Sequence, residues 1–474
     1  MQSRLRLEWL MLLVTAVALL VFWSARITDA AIVDDPAQNL LMSLNLERAG
    51  VISLSESAPR IPSMQREPVP ILVGALAVRA VDAVLGAAQE SEYFHGERAR
   101  LLKFQNVAWL ALLSITTFKI GRWLGLAPVP SLLCVVLSNL LLLQVDYGTY
   151  LLNSLYTEAS AAALLSAGSL LLSMAISRRS LKLMALAGLS FGLLSLVKAG
   201  FLYVTIGLVV AAPCLSLLAR VPIRDAAKQA AVLGALAAIV VLPWMCRDYL
   251  TLGYFAIALR GGDAVYNRAI MDQMTRDEYI GSIYVWAPYP LGGVFRRILG
   301  YSRTDQEEGG RVQRLNESST SSFAARDKAA EEAGRAQDTV TYYRRARADA
   351  IRWTRQLIAD GDPNPLKAAD LEMRRRAMAM ILQHPWRHAA LTLTLLWRGA
   401  YFNFVPLVAA FVYAVRRRSK ELQLLVLPSL ALVLFYALLA TLESRYSMPT
   451  YPIVICLLVA FASHVVPRLQ EKNQ

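Results

Sequence analysis

Residues 31–70 read AIVDDPAQNL LMSLNLERAG VISLSESAPR IPSMQREPVP, a polar stretch set between two apolar runs. Asp34 and Asp35 stand side by side near its start. Leu40, Leu41, Leu44 and Leu46 follow at helical spacing, and Gly50 supplies a stop. The pattern predicts an amphipathic helix starting near Pro36, with proline in its first turn; the acids could serve as its cap, but capping needs only one of them, which favours a catalytic role. A polar span then leads to Arg66-Glu67-Pro68, where the chain turns apolar again. Two carboxylates beside a membrane, with an arginine where the apolar run resumes, read as a site rather than a linker.

The flanking runs set the class. Apolar residues make up 56% of 474 positions, above the roughly 45–50% usual for soluble domains. Several runs reach the roughly 20 residues that cross a bilayer, so an all-α polytopic membrane protein is expected. Ten spans are predicted: residues 8–23, 104–121, 128–145, 157–176, 182–197, 201–218, 228–245, 399–415, 422–441 and 448–466. The first follows Arg4 and Arg6 and reads as an uncleaved helix, because Thr28-Asp29-Ala30 is a poor cleavage site. Residues 69–88 are apolar but carry Arg79 and Asp82. A charge at the bilayer centre costs roughly 2.5–3.5 kcal/mol on insertion scales, so this segment is placed at the outer surface instead.

Charge sets the orientation. The net +14 is concentrated in short clusters at span ends: Arg122; Arg178, Arg179 and Lys182; Arg220, Arg224 and Lys228; Arg416, Arg417, Arg418 and Lys420; Arg468 and Lys472. With ten spans all of these fall on one face, and counting 69–88 as an eleventh would invert much of that pattern. Both termini are therefore placed in the cytoplasm. Clusters of this kind set orientation and attract anionic headgroups, which argues against nucleic acid as a partner. Cys134, Cys214, Cys246 and Cys456 lie scattered in apolar segments and form neither a disulfide framework nor a metal motif.

This topology divides the chain into an N-terminal membrane module, 1–246, with its first outer loop at 24–103, a helical periplasmic insert at 247–398, and C-terminal spans at 399–474. The outer face gathers Asp34 and Asp35, the segment from Asp146 to Glu158, Lys198, the insert, and Glu443-Ser444-Arg445-Tyr446. Within the insert, 303–355 reads as charged helices, 316–322 as a flexible loop, 360–365 as a turn, and 371–383 as an amphipathic helix running to His384-Pro385. Asn316-Glu317-Ser318 is a glycosylation sequon by pattern only. His384 and His388 stand four apart, a spacing compatible with metal, but no third ligand accompanies them, which favours a structural role.

The arrangement of Asp34-Asp35, Gly50 and Arg66-Glu67-Pro68 resembles the first outer loop of the superfamily C (GT-C) membrane glycosyltransferases. It is most similar to bacterial relatives of the protein O-mannosyltransferases and aminoarabinose transferases. Glu158, the Pro243-Trp244-x-x-Arg247-Asp248-Tyr249 exit and Glu443-Ser444-Arg445-Tyr446 extend the resemblance along most of the chain. One departure is plain: many relatives carry Asp-Glu with a tyrosine three or four places on, where this chain has Gln38 and Asn39.

The resemblance implies a GT-C-type helical bundle in a bacterial cytoplasmic membrane, with its active site facing outward. It implies inverting transfer of a hexosyl or pentosyl group from a polyprenyl-phosphate-linked donor to a glycan, lipid or protein acceptor. A donor confined to the bilayer must have its phosphate met by cations at the interface. An acceptor hydroxyl needs a carboxylate to take its proton. The matching positions are Asp34 as base with Asp35 beside it, the two roles being interchangeable, and Glu158 as a second carboxylate. Lys198, Arg247 and Arg445 match as donor-phosphate contacts, and Arg66, Glu443 and Tyr446 as acceptor or donor contacts. The sequence names neither sugar nor acceptor, fixes no cofactor, and leaves a divalent metal open. A lipid-linked-glycan transporter or flippase would also gather cations near the membrane, but such proteins tend toward mid-membrane charges and repeated halves. A non-catalytic envelope-assembly protein is the third reading, disfavoured by the paired acids.

Overall fold

A computed structural model describes residues 2–144, 152–218, 222–288 and 290–472. Asp146 and Arg220 lie outside the described residues, as do the side chains of Arg4, Arg6, Arg468 and Lys472. Among the described residues the fold is all-helical, apart from one isolated bridge between Ser53 and Pro62. In chain order the helices are α1 (Gln2–Ser24), α2 (Asp34–Ala49), α3 (Pro68–Leu85), α4 (Gly96–Lys103), α5 (Gln105–Trp123), α6 (Pro128–Gln144) and α7 (Glu158–Ser177). There follow α8 (Leu181–Val197), α9 (Phe201–Leu218), α10 (Ile223–Leu252), α11 (Gly261–Ile270), α12 (Arg276–Val285), α13 (Leu291–Ile298) and α14 (Ala324–Glu332). The remainder are α15 (Tyr342–Ala359), α16 (Pro365–Gln383), α17 (Pro385–Ala400), α18 (Phe404–Arg416), α19 (Lys420–Leu439), α20 (Ser444–Ser447) and α21 (Tyr451–Lys472).

The chain is a multi-pass membrane protein. Among the described residues, 7 helices are long and apolar enough to cross a bilayer, and 8 if α17 and α18 count as one broken span. Helices stand at all ten predicted positions, with α6, α8 and α9 apolar but shorter. The span expected at 399–415 opens at Phe404 instead, because the helix breaks after Ala400. α3 is among the seven, so length and apolarity alone do not keep it out of the membrane. Its Asp82 is tied to Tyr93 and Arg98 rather than left bare.

Two compact units divide the chain: Met1–Ile257, Phe402–Leu432 and Ser447–Gln474 form the first, Ala258–Tyr401 and Val433–Tyr446 the second. In the first unit α7 is the most enclosed span, with 78% of its window inside the protein. Its sequence EASAAALLSAGSLLLSMAIS explains this, since Ala, Ser and Gly let neighbouring helices approach closely. α8 uses the same device against α10. A Cβ on Gly188 would lie 2.6 Å from the Leu233 carbonyl oxygen, and one on Gly192 would lie 2.9 Å from Val240 Cβ. α1 is tied to α5 through Glu8 and Arg122 at 3.2 Å and Lys119 over Trp9 at 4.0 Å.

The second unit is a helical cluster with a polar interior. Tyr266 on α11 meets the Trp353 ring at 5.1 Å and donates to Asp349 at 2.9 Å. Glu278 completes a capping box with Thr275 and takes Arg314 on both oxygens at 2.6 Å. Arg268, fully buried, donates to Asp272 at 2.8 Å, to the His388 carbonyl at 2.7 Å and to the Ala437 carbonyl at 3.1 Å. His388 lies 2.7 Å from Asp272 and 2.8 Å from the Leu438 carbonyl, the structural role its sequence context favoured. These bonds hold the last turn of α19, which is why residues 433–446 belong to this unit. Residues 316–322 form a loop, as read from the sequence; within it Asn316 is buried with its amide donating to the Gln306 carbonyl at 3.0 Å, and Glu317 pairs with Arg398 at 2.9 Å. The charged-helix reading of 303–355 holds for α14 and α15, whereas 303–323 is turns and short 3-10 segments.

Candidate active site

α2 ends as its sequence dictates. Gly50 sits at φ 68°, left-handed, and its amide closes on the Leu46 carbonyl at 3.0 Å. The helix opens at Asp34, with Val33 rather than an aspartate in the capping position. Asp34 itself has φ 58°, in a region that costs an L-residue other than glycine roughly 1–2 kcal/mol. Strain of this kind persists only where the surroundings over-determine it, and it gathers at functional positions. Here the surroundings are visible. Buried Lys103 donates to the Thr28 carbonyl at 2.9 Å and the Ala30 carbonyl at 2.5 Å. Asn153 accepts from the Thr28 amide at 2.6 Å and donates to the Arg26 carbonyl at 3.1 Å. The Ile32 amide donates to the Phe94 carbonyl at 2.8 Å. The strand of chain leading to Asp34 is therefore fixed by its main chain, and the Asp34 side chain is delivered to an exposed position.

Asp35, half-buried, pairs with Arg66. Arg66 is only 5% exposed and also donates to Gln38 Oε1, at 2.9 Å from Nε and 2.7 Å from Nη2. Gln38 thus completes the arginine's acceptors. Next door, Glu67 caps α3 ahead of Pro68 and accepts the Ala199 amide at 3.3 Å. Ala199 follows Lys198, the residue that ends α8. Lys198 Nζ donates to Glu158 Oε1 at 2.8 Å, and Glu158 is the first residue of α7. A continuous run therefore links Asp35, Arg66-Glu67, Ala199-Lys198 and Glu158 across four helices.

Arg247 stands one layer away. It pairs with the buried Asp248 at 2.5 Å and lies over Trp244, 4.9 Å from the ring centroid. Trp244 packs against two buried clusters, one of Leu196, Val241 and Ile257 and the other of Met42, Ile52 and Ile71. A cleft opens beside the run, lined by Asn39, Ser43, Gln105, Asn106, Trp109, Tyr156 and Thr157. Asn39 lies one turn beyond Asp35, and its Oδ1 is buried with no hydrogen-bond partner among the described residues.

The remaining predicted residues belong to the second unit. Arg445 donates to Glu443 at 2.9 Å and to the Tyr446 hydroxyl at 3.1 Å, and Tyr446 stacks on Tyr436 at 4.9 Å. Sequence reading missed Lys103 and Asn153, and it noticed Gln38 and Glu67 without giving them a role. Glu67 had a signal, as the acid preceding Pro68. No group of three or more potential metal ligands occurs among the described residues.

No protein-family model and no curated protein sequence matches the chain. Among solved structures, 98% of the chain is similar to the Archaeoglobus fulgidus oligosaccharyltransferase, crystallised with an acceptor peptide containing the NVT sequon tethered by a disulfide bond. The TM-score is 0.49 and the identity 12%, and the chain spans half the length of that protein.

Proposed function

We propose that the protein transfers a sugar from a polyprenyl-phosphate-linked donor to an acceptor hydroxyl at the outer face of a bacterial cytoplasmic membrane, with Asp34 as general base. The observation that carries this reading is the run of charges from Asp35 through Arg66 and Lys198 to Glu158, beside an exposed and strained Asp34. In the reaction the acceptor oxygen forms its bond to the anomeric carbon while its proton passes to the Asp34 carboxylate. The bond from the anomeric carbon to the phosphate oxygen breaks with its electron pair, and inversion follows from this single displacement. The leaving polyprenyl phosphate gains charge as that bond breaks, and a fixed cation answers that change without reorganising.

Lys198 and Arg247 are assigned to the donor phosphate, with Glu158 holding the Lys198 ammonium in place. Arg66 fixes Asp35 and so orients the first turn of α2. Arg445 is assigned a donor-phosphate contact of its own, its guanidinium steadied by Glu443 and Tyr446. The test is a comparison of envelope glycans by mass spectrometry in cells with the gene, without it, and carrying Asp34→Asn. Loss of one glycan species in the second and third is expected. Identical glycans in all three overturn the reading.

A further inference from the structure

α13 has the sequence LGGVFRRI and buries none of its eight residues. At about 100° per residue, Leu291, Val294, Phe295 and Ile298 share one face, and Arg296 and Arg297 flank the other. Leu291, Val294 and Ile298 are 42%, 51% and 71% exposed. Contiguous apolar surface of this kind on a helix marks an interaction site rather than chance exposure. One flank is held to the protein: Gly292, Phe295, Arg296 and Leu299 are half-buried, and a Cβ on Gly292 would lie 3.2 Å from the Tyr284 carbonyl oxygen, whereas Leu291, Val294, Arg297 and Ile298 are exposed.

The neighbours of that face identify its partner. Phe295 meets Trp397 edge-on at 5.6 Å, and Trp397 lies 6.1 Å from the Tyr401 ring. Arg398 covers Trp286 at 5.1 Å. Trp397 and Tyr401 belong to the end of α17, and Tyr401 precedes the start of apolar α18 by three residues, at most about 10 Å of chain. Trp and Tyr collect at the level where a chain enters a bilayer. An amphipathic helix with adjacent arginines at that level fits anionic lipid headgroups.

We propose that α13 is an interfacial anchor of the second unit, with Leu291, Val294 and Ile298 immersed at the headgroup–acyl boundary and Arg296 and Arg297 on lipid phosphates. This holds whatever reaction the first unit performs. The experiment uses the full-length protein in nanodiscs of zwitterionic lipid with or without phosphatidylglycerol, with the exposed Cys214 and Cys246 changed to serine. Ile298→Cys carries an environment-sensitive fluorophore, and Lys328→Cys, 65% exposed on α14, serves as the aqueous control. The label at 298 should emit to the blue of the control, lose most of its intensity to lipids with a nitroxide high on the acyl chain, and resist iodide. Free quenching by iodide overturns the proposal. So does protection from both quenchers, which would mean that a protein, a second copy included, covers the face. Arg296→Glu with Arg297→Glu should remove the dependence of nitroxide quenching on phosphatidylglycerol, and an unchanged dependence overturns the assignment of the arginines.

Discussion

The Lys198 ammonium donates to Glu158 across 2.8 Å, and the other Glu158 oxygen has no hydrogen-bond partner among the described residues. Both residues are buried, at 7% and 2% exposure. Glu158→Gln therefore removes the carboxylate charge 2.8 Å from that buried cation, and breaking a buried ion pair typically costs about 3–5 kcal/mol. Combining it with Lys198→Met should restore most of the thermal stability in detergent. If Lys198 also serves the donor phosphate, the double variant will be stable yet poor in transfer. A double variant as active as wild type would confine the pair to structure.

Asp34 separates chemistry from backbone strain. Asp34→Asn keeps size and conformation and should reduce transfer by roughly 10²–10⁴-fold, with an unchanged melting temperature. Asp34→Gly removes the left-handed penalty of roughly 1–2 kcal/mol, offset in part by about 0.5–1 kcal/mol of backbone entropy. It should melt at or slightly above wild type and be equally inactive. Normal turnover in Asp34→Asn would pass the base to Asp35, and normal turnover in both single Asp→Asn variants would end the mechanism.

Arg445 tests donor binding. Charge-assisted contacts to phosphate contribute roughly 1.5–3 kcal/mol, so Arg445→Ala should weaken use of the lipid donor by about one to two orders of magnitude. Lysine should restore only part, since it lacks the paired donors of a guanidinium. If Arg445 serves only to hold Glu443 and Tyr446, Glu443→Gln and Arg445→Ala will lower thermal stability alike and leave donor titrations superimposed on wild type.

Topology is checked by reporter fusions. Fusions after Arg179, Arg224 and Arg418 should report cytoplasm, and one at Arg335, an exposed residue of the second unit, should report the opposite side. A cytoplasmic signal at Arg335 would move the candidate active site to the other face.

The membrane helices were legible because apolar length is a local property, and so was the Gly50 stop, where one residue type meets one backbone conformation. Glu158 and Lys198 were each visible as lone charges at helix ends, but nothing local announces that they face each other. The start of α2 was legible to within two residues, but the left-handed backbone at Asp34 was not, because the chain leading to it is held by residues 103 and 153. Residues 433–446 looked like plain span and loop. Their place in the second unit comes from Arg268 and His388 gripping carbonyls of Ala437 and Leu438, more than 40 positions away, and carbonyls carry no sequence signal.

Lys103 has a consequence beyond geometry. Its ammonium grips the main chain at Thr28 and Ala30, and an oxygen of the main chain is the same under every side chain. The tether is therefore indifferent to spelling at Ala30, which can drift through evolution, while the lysine, and Asp29 whose charge faces its ammonium, cannot. In a set of related sequences the most constant partner of Asp34 should be a residue about seventy positions downstream, sitting at the end of a short helix where nothing in its own neighbourhood explains why it never changes.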